Sequence, residues 1–217
     1  RFASDVSHEL RSPITALTAA VEVLDARRDD IPERTQQALD VVVSQVRRFD
    51  DMVMDLLELS RLDAGSHDLN LETLDIVELT KRIAGRYNAA DVPIDVGRRL
   101  DTEVTIDKVR FERILGNLLD NAHNHGDGPT RIELFQVEPG RFRLAVEDDG
   151  PGVAQGERDR IFERFARGTA ARSRVGTGLG LALVSEHSAA MGGRAWVEDC
   201  VGGGARFVVE LPAEVGR

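Results

Sequence analysis

Two long segments in the first third of the chain repeat apolar residues at steps of three and four. Such a repeat predicts an α-helix with one apolar face, because a helix turns through about 100° per residue. Residues 29–32, Asp-Asp-Ile-Pro, predict the turn between the helices, with Pro32 opening the second. The apolar positions are Phe2, Val6, Leu10, Ile14, Leu17, Val21 and Leu24 in the first segment, and Leu39, Val42, Val46, Phe49, Val53, Leu56 and Leu59 in the second.

A hairpin of two such helices cannot cover its own apolar faces, and this limits the folds that are available to the chain. Two hairpins that pair as a dimer form a four-helix bundle, which buries both stripes. Packing of the hairpin against the rest of the same chain is the alternative. We expect the dimeric bundle, and therefore a homodimer.

A histidine, His8, lies away from the first stripe. It is about 200° around the predicted helix from Val6 and Leu10, so we expect its imidazole to face water. An imidazole is mostly neutral at pH 7 and has one nitrogen with a free lone pair, which can act as a nucleophile. Glu9 can hold the proton of the other nitrogen. On this segment alone, the alternative is an ordinary surface histidine beside an ordinary glutamate.

Charge and composition exclude several classes of partner. The chain has 217 residues and a formal net charge of −10, which argues against a nucleic-acid partner because phosphate binding requires a basic surface. Cys200 is the only cysteine, so neither a disulfide framework nor a cysteine metal site is expected. No apolar run reaches the length of a membrane span. The sequence begins with Arg1 inside a predicted helix, and we expect a fragment of a longer protein.

The helical pattern breaks at residues 64–66, Ala-Gly-Ser, which predicts a boundary between a domain of residues 1–65 and a domain of residues 66–217. Beyond it, strands alternate with helices and are joined by hairpin connections, which predicts an α+β sandwich rather than a parallel α/β sheet. The predicted helices span residues 76–89, 108–121 and 179–191. The predicted strands span residues 94–96, 103–106, 131–137 and 142–147, with a last pair that closes at Leu211.

Two asparagines lie one turn apart on the predicted helix of residues 108–121. Asn117 and Asn121 therefore project from the same face. Neutral amide oxygens can ligate Mg²⁺ and orient phosphates without adding negative charge that would repel a nucleotide. An ordinary surface pair is the alternative for these two residues alone.

Two glycine-containing segments add further candidates. Asp148 stands at the end of a predicted strand, where a carboxylate followed by Gly150 and Gly152 can accept a hydrogen bond from the amine of a base; a plain tight turn is the alternative. Residues 176–181, Gly-Thr-Gly-Leu-Gly-Leu, open a predicted helix whose N–H groups and dipole favour an anion such as phosphate. This segment lacks the Lys-Ser/Thr of a P-loop and the early βαβ unit of a Rossmann fold.

In this order, the motifs resemble those of the sensor histidine kinases. Residues 7–13, Ser-His-Glu-Leu-Arg-Ser-Pro, resemble the phosphoacceptor box, and residues 56–65 resemble the usual interdomain junction. Residues 112–122, 146–152, 162–165 and 176–181 resemble the N, G1, F and G2 boxes. The resemblance covers nearly the whole chain. It implies a dimerisation and histidine-phosphotransfer hairpin, followed by the ATP-binding domain shared with gyrase and the MutL repair proteins.

The resemblance implies a role for three residues of the hairpin. His8 is then the phosphoacceptor, and Glu9 is its acid/base partner. Ser12, one turn after His8, occupies a position where many members carry Thr or Asn. The implied role of that position is to orient a water that dephosphorylates the partner regulator. The alternative is that Ser12 eases the kink expected at Pro13.

The resemblance also implies which residues bind the nucleotide, ATP, and which residue binds Mg²⁺. Asn121 matches the Mg²⁺ ligand, and Asp148 matches the carboxylate that reads adenine. Arg167 is placed to reach the phosphates, and residues 168–175 are expected to form a mobile lid. The other implied nucleotide-binding positions are Asn117, His125, Gly150, Gly152, Gly176, Thr177, Gly178, Leu179 and Gly180.

One position departs from the family pattern. Members often carry a Lys–Tyr pair after the second asparagine, with Lys near phosphate and Tyr beside adenine. Here Asn124 and His125 stand at these positions. An imidazole can still stack on a base, but a charge that faces the phosphates is missing, which puts the affinity for nucleotide in question.

The expected reaction is transfer of the γ-phosphoryl group of ATP to His8 and then to an aspartate of a response regulator, with phosphatase activity toward that regulator. The resemblance implies the cytoplasmic portion of a bacterial inner-membrane sensor. Two other functions are considered. In an ATPase clamp like gyrase, nucleotide drives closure of a dimer, but the Ser-His-Glu motif on a separate hairpin argues against this. In a degenerate kinase the chain is a docking scaffold, but the intact boxes argue against that.

Overall fold

The structure is a computed structural model that describes residues 2–63, 68–166, 176–200 and 202–212, with residues 2–12 described by their backbone alone. The chain divides into two units, Arg1–Ser66 and His67–Arg217. The predicted boundary between residues 65 and 66 falls outside the described residues, so its position stays a prediction.

The first unit is the predicted helical hairpin. Helix α1 (Phe2–Asp25) continues through Pro13, and helix α2 (Glu33–Asp63) follows. Helix α1 ends at Asp25, before the predicted turn of residues 29–32, and Arg28–Asp30 forms a separate 3-10 turn. The side chain of Gln36 holds this turn by donating to the carbonyl oxygens of Arg28 and Ile31, at 3.1 and 3.0 Å.

The apolar stripes of the hairpin divide into a packed set and an exposed set. Small clusters join the helices, with Ile14 against Val53 and Leu57, and Val21 against Leu39 and Val43. Other stripe residues stay between 41% and 53% exposed. A row of exposed large apolar side chains is typical of a surface that another protein surface covers. The exposed residues are Leu17, Leu24, Val42, Phe49 and Leu56.

The second unit, within the described ranges, contains three helices and seven strands. The helices are α3 (Ile76–Arg86), α4 (Lys108–His125) and α5 (Gly180–Ala190), and the strands are β1 (Leu71–Asp75), β2 (Ile94–Val96), β3 (Glu103–Asp107), β4 (Pro129–Glu138), β5 (Arg141–Asp148), β6 (Arg194–Asp199) and β7 (Ala205–Pro212). Strands β1 and β3 form a small antiparallel sheet, and the larger sheet has the order β2–β4–β5–β7–β6. In the larger sheet β2 runs parallel to β4, and the other neighbours are antiparallel. The predicted α+β sandwich is confirmed.

The two faces of the larger sheet differ because side chains alternate along each strand. On one face, Phe142 belongs to the core that the sheet shares with α3 and α4, and its ring centroid lies 6.3 Å from that of Phe111. The other face of the sheet carries ion pairs between charged residues. Arg206 binds both Glu133 and Glu147 there. The core thus fixes α4 against the sheet, and α4 is the helix that carries the predicted pair of asparagines.

Helix α4 is longer than predicted. It ends at His125 instead of Asn121, and the N–H of Gly126 still donates to the carbonyl oxygen of Ala122 at 2.9 Å. Residues 123–125 are all polar and continue no apolar repeat, so the sequence pattern gave no signal for this turn. His123 Nε2 lies 2.9 Å from the carbonyl oxygen of Tyr87, which ties the added turn to the residue after α3.

Across the described ranges, no helix combines the length and the apolar character that crossing a bilayer requires.

Candidate functional site

One face of α4 carries three polar side chains that are one turn apart: Asn117, Asn121 and His125. The opposite face fixes the helix, because Leu115 and Leu119 are fully buried in the core. Asn117 and Asn121 are partly buried, and His125 is exposed. Residues four apart share a helix face. Three of the residues that were predicted to bind nucleotide therefore lie on one surface.

Asp148 ends β5 and is only 3% exposed, and main-chain donors hold its carboxylate. Its Oδ1 accepts a hydrogen bond from the N–H of Gly150 at 3.0 Å and another from the N–H of Ala205 at 3.1 Å. No residue that the structure describes donates a hydrogen bond to Oδ2. A carboxylate fixed in this way presents its second oxygen to a ligand.

The environment of Asp148 is unfavourable for its charge. Burial raises the pKa of Asp148, the main-chain hydrogen bonds from Ala205 and Gly150 oppose the rise, and the nearby charges of Asp149 and Asp127 add to it. The folded protein therefore binds a proton here more tightly than the unfolded chain does, so the ionised carboxylate lowers stability at neutral pH. A buried charge with this cost is typical of a functional site.

The turn after β5 packs against the end of α4. The N–H of Asp149 donates to the carbonyl oxygen of Gly126 at 3.2 Å. A Cβ atom on Gly126 would overlap the carboxyl group of Asp148, and a Cβ atom on Gly150 would lie 2.8 Å from the carbonyl oxygen of His125. The close approach of these two backbones places Asp148 against the end of the helix that carries His125.

Residues 176–180 lie beside the same face of α4. A Cβ atom on Gly176 would lie 3.4 Å from His125 Nε2, and a Cβ atom on Gly180 would lie 2.9 Å from Asn117 Oδ1. The amide nitrogen of Asn117 donates to the carbonyl oxygen of Arg113 at 2.8 Å, which turns the amide oxygen toward the start of α5. The residue before α5 provides no side-chain cap, so the N–H groups of the first turn favour an anion at this place.

Thr177 changes one detail of the predicted phosphate site. Its hydroxyl accepts a hydrogen bond from the N–H of Leu179 at 3.2 Å, and Leu179 itself is fully buried. The N–H of Leu179 is therefore already bound within the protein. The first turn of α5, which begins at Gly180, supplies the donors that face an anion.

The surroundings of His125 favour its neutral form. Much of its ring is exposed, but desolvation by the surrounding protein lowers its pKa, and the carboxylate of Asp148 opposes this shift. A neutral imidazole can stack on a base, whereas it adds no charge next to a phosphate. This supports the predicted place of His125 at the base and not at the phosphates.

Two of the predicted glycines contact segments other than α4. A Cβ atom on Gly178 would lie 3.1 Å from the Cα of Phe165, whose N–H donates to the carbonyl oxygen of Gly178 at 2.8 Å. Phe165 and Gly178 are therefore in direct contact through their backbones. Arg167 and the predicted lid of residues 168–175 are outside the described residues, and their roles stay predictions.

Gly152 lies at a different contact, against the turn between β6 and β7. A Cβ atom on Gly152 would lie 2.9 Å from the carbonyl oxygen of Gly204. A cavity of about 470 Å³ adjoins this contact. Gly152 is the only predicted nucleotide-binding residue that lines it, so this cavity is separate from the predicted nucleotide site. Its lining consists of Pro151, Gly152, Val153, Ala154, Glu157, Asp199, Cys200, Gly203 and Gly204.

Sequence reasoning missed three residues at the site: Gly126, Gly204 and Ala205. All three act through contacts with Asp148 or its backbone. The signal available in the sequence was the run of three glycines at residues 202–204, because glycine next to a strand often marks a close approach of two backbones.

The hairpin residues of the predicted site lie on α1. The helical backbone includes His8, Glu9 and Ser12, but the side chains of these residues are outside the described residues. Their predicted roles in phosphoryl transfer and in dephosphorylation therefore stay predictions.

Two family models match the chain. Residues 1–65 match the His Kinase A (phospho-acceptor) domain. Residues 106–215 match the histidine kinase-, DNA gyrase B- and HSP90-like ATPase family. Between them the two matches include every residue of the predicted site.

Curated relatives align with nearly the entire chain. The signal transduction histidine-protein kinase AfsQ2 of Streptomyces coelicolor is 35% identical over 99% of this chain and 42% of its own length. The signal transduction histidine-protein kinase/phosphatase MprB of a Mycobacterium species (strain KMS) is 37% identical over 98% of this chain and 43% of its own length. The chain thus spans about two fifths of the length of these relatives.

Solved structures give the same result at the level of the fold. Full-length ShkA in complex with AMPPNP matches with a TM-score of 0.77 and 31% identity, over 99% of this chain and 46% of that chain. The mycobacterial sensor histidine kinase MprB matches with a TM-score of 0.56 and 32% identity, over 67% of this chain and 100% of that chain.

Proposed function

This chain belongs to the two-component sensor histidine kinases, and we propose that it transfers the γ-phosphoryl group of ATP to His8 and from there to an aspartate of a response regulator. One observation carries the proposal. The contacts of the second unit bring Asn117, His125, Asp148 and the start of α5 to one place, in a chain whose first 65 residues match a phosphoacceptor domain.

The nucleotide is held by groups of different chemistry at its two ends. Asp148 Oδ2 accepts a hydrogen bond from the amine of adenine, because Oδ1 is already bound by two main-chain donors. The neutral ring of His125 stacks on the base. At the other end, the N–H groups and dipole at the start of α5 stabilise the charge of the phosphates.

The amide oxygens on α4 suit a magnesium ion. Mg²⁺ binds oxygen ligands and keeps several waters, so one or two protein oxygens beside the phosphates of the substrate are sufficient. Asn121 provides one such oxygen. Asn117, one turn earlier on the same face of α4, has its Oδ1 next to Gly180 at the start of α5. When bound, the ion neutralises charge that develops on the transferred phosphoryl group.

In the first transfer, the lone pair of the His8 imidazole attacks the γ-phosphorus in line with the bond to the β-γ bridging oxygen. A nitrogen–phosphorus bond forms, the phosphorus–oxygen bond breaks, and ADP leaves with the bonding electrons. Glu9 accepts the proton from the other ring nitrogen, which relieves the positive charge on the ring. In the second transfer a carboxylate of the regulator attacks the same phosphorus and the phosphorus–nitrogen bond breaks. Glu9 returns the proton to the other ring nitrogen, so His8 leaves as a neutral imidazole.

The reaction requires His8 of the first unit to reach ATP bound in the second. We place the movement that allows this near residues 62–66, where the helical pattern of the sequence breaks. Part of this segment is outside the described residues, so the hinge is an element of the proposal. Its test is a change in domain motion when residues 64–66 are replaced by prolines.

The exposed row of the hairpin supports a homodimer. Leu17, Leu24, Val42, Phe49 and Leu56 would leave water if two hairpins paired as a four-helix bundle, and burial of this apolar surface would stabilise the pair. Sedimentation equilibrium is expected to give the mass of a dimer. A monomer at concentrations well above micromolar would contradict this part of the proposal.

Incubation with γ-labelled ATP and Mg²⁺ separates the proposal from its alternatives. A histidine kinase is expected to carry label on the protein that is stable in base and lost in acid, as a nitrogen–phosphorus bond requires. Release of free phosphate without labelled protein would indicate an ATPase clamp. Absence of both products would indicate a docking scaffold.

Asp148→Asn is expected to weaken ATP binding about tenfold or more, because a hydrogen bond to a charged acceptor is lost, and to reduce the preference for ATP over GTP. The carbonyl oxygen of the asparagine can still accept from Gly150 and Ala205, and the costly buried charge is gone. The melting temperature is therefore expected to stay equal or to rise. Titration calorimetry with ATP and GTP and a thermal melt provide the measurements. An unchanged ATP/GTP ratio would show that Asp148 does not read the base.

Ser12→Ala is expected to lose phosphatase activity toward the phosphorylated regulator and to keep autokinase activity. The serine hydroxyl can orient a water for attack on the aspartyl phosphate, but it lacks the β-branch that restricts χ1 in threonine. Ser12→Thr is the matched variant and is expected to equal or exceed the parent. If Ser12→Ala dephosphorylates the regulator as fast as the parent, the assigned role of Ser12 is wrong.

A further inference from the structure

The turn between β6 and β7 reaches Asp148 from a distant part of the chain. Ala205, the first residue of β7, donates its N–H to Asp148 Oδ1 across a sequence separation of 57 residues. The other donor to the same oxygen, Gly150, belongs to the turn that directly follows Asp148. One of the two bonds that orient this carboxylate therefore comes from a separate hairpin.

Gly204 makes this approach possible. Its φ is 84°, and a Cβ atom on it would overlap the carbonyl oxygen of Asp148 and lie 3.1 Å from the Cα of Asp149. The carbonyl oxygen of Gly204 in turn lies 2.9 Å from the position of a Cβ atom on Gly152. The backbone of the β6–β7 turn is thus in direct contact with the backbone of the turn after β5.

Two donors from different segments orient a carboxylate better than one donor. The χ2 torsion of aspartate has a broad energy profile, so a single local hydrogen bond leaves the plane of the carboxylate free to rotate. A second donor on Oδ1 restricts that rotation and fixes the direction of the Oδ2 lone pairs. Discrimination between a base amine, which donates, and a base carbonyl, which accepts, depends on this direction.

We propose that Gly204 and Ala205 are positioning residues for base selection, acting on the nucleotide through the carboxylate of Asp148. Gly204 lets the β6–β7 turn approach Asp148, and the N–H of Ala205 then holds Oδ1 so that Oδ2 faces the base. This inference rests on the proposed function, in which Asp148 reads adenine.

The first test compares two glycines of the same turn. Gly204→Ala is expected to lower ATP affinity about tenfold, the effect of disturbing one hydrogen bond to a charged group, and to lower the ATP/GTP affinity ratio by a similar factor. Gly203→Ala is the matched control, since Gly203 also has a positive φ, 113°, but a Cβ atom there would meet nothing within 4 Å. The control carries the same kind of backbone strain without the clash, and it is expected to keep the parent ratio.

A second variant removes the donor and leaves Gly204 unchanged. Ala205→Pro lacks the N–H, and its ring carbon Cδ takes the place of the hydrogen that points at Asp148 Oδ1, so the carboxylate must turn away. Proline is tolerated at the first residue of a strand. Ala205→Pro is expected to lower the ATP/GTP ratio as Gly204→Ala does. Combined with Asp148→Asn, either variant is expected to cause no further loss of discrimination, because residues that act through one group are not additive.

The outcomes separate this inference from the function on which it rests. If Asp148→Asn loses base discrimination while Gly204→Ala and Ala205→Pro keep it, the positioning role is wrong and the proposed function stands. If Asp148→Asn itself keeps discrimination, the proposed reading of adenine is wrong. If both turn variants lose cooperative thermal unfolding, the contact serves the fold rather than base selection, and the inference is overturned.

Discussion

His8→Ala is expected to reduce labelling from γ-labelled ATP to background. His8 is the proposed nucleophile and the only histidine among residues 1–65, so no other imidazole of the hairpin can replace it. ATP affinity is expected to stay within about twofold of the parent, because the proposed nucleotide site is built from residues of the second unit. The measurements are acid- and base-stability of the label on the protein and calorimetric titration with ATP.

The other histidines of the chain provide the controls for this prediction. His123→Ala is suited to this purpose, because His123 is exposed and binds the carbonyl oxygen of Tyr87 rather than any group of the nucleotide site. It is expected to label like the parent. Acid-labile label that persists on His8→Ala would assign the acceptor to one of His67, His123, His125 and His187 and would refute the role of His8.

Periodicity predicted the helical hairpin but not which stripe residues its two helices share. Ile14 and Leu17 belong to one predicted stripe, yet Ile14 is 3% exposed and Leu17 is 52% exposed. Apolar residues that face the partner helix and apolar residues that face a second surface recur at the same steps of three and four. The sequence pattern does not distinguish them. The sequence therefore predicts the apolar stripe as a whole. Only the structure shows which stripe residues pack between α1 and α2 and which stay exposed for a partner.

In the candidate site, too, residues that depend on a local pattern were predicted, and contacts between residues distant in the sequence were not. Asn117, Asn121 and Asp148 were predicted because each depends on a local property, either helix spacing or the end of a strand. The hydrogen bond from Ala205 to Asp148 joins residues far apart in the sequence. The glycines of residues 202–204 signal a close approach of two backbones, but no local pattern identifies Asp148 as the partner. Gly126 was missed for a related reason: its contact with Asp148 depends on the extra turn of α4, whose polar residues give no apolar repeat.

Asn121→Ala is expected to lower the rate of autophosphorylation about 100-fold or more, which is the usual cost of removing one group that stabilises charge in the transition state. The fold is expected to be retained, since Asn121 lies on the partly exposed face of α4 and the opposite face carries the core. A readout independent of activity is the dependence of ATP affinity on Mg²⁺. The parent is expected to bind ATP more tightly with Mg²⁺ than without, and Asn121→Ala is expected to show little difference.

Asn70→Ala is the matched control for Asn121. Asn70 is an exposed asparagine outside α4, and its main-chain N–H donates to Asp107 Oδ2 at 3.0 Å, a hydrogen bond that the substitution keeps. Its loss removes the same atoms without removing a proposed ligand, so both the rate and the effect of Mg²⁺ are expected to match the parent. If Asn121→Ala instead keeps the parent rate at saturating Mg²⁺ and the parent difference in ATP affinity, the metal is held elsewhere. The α4 amides then serve only to orient the phosphates, and the ligand must come from the substrate side or from outside the described residues.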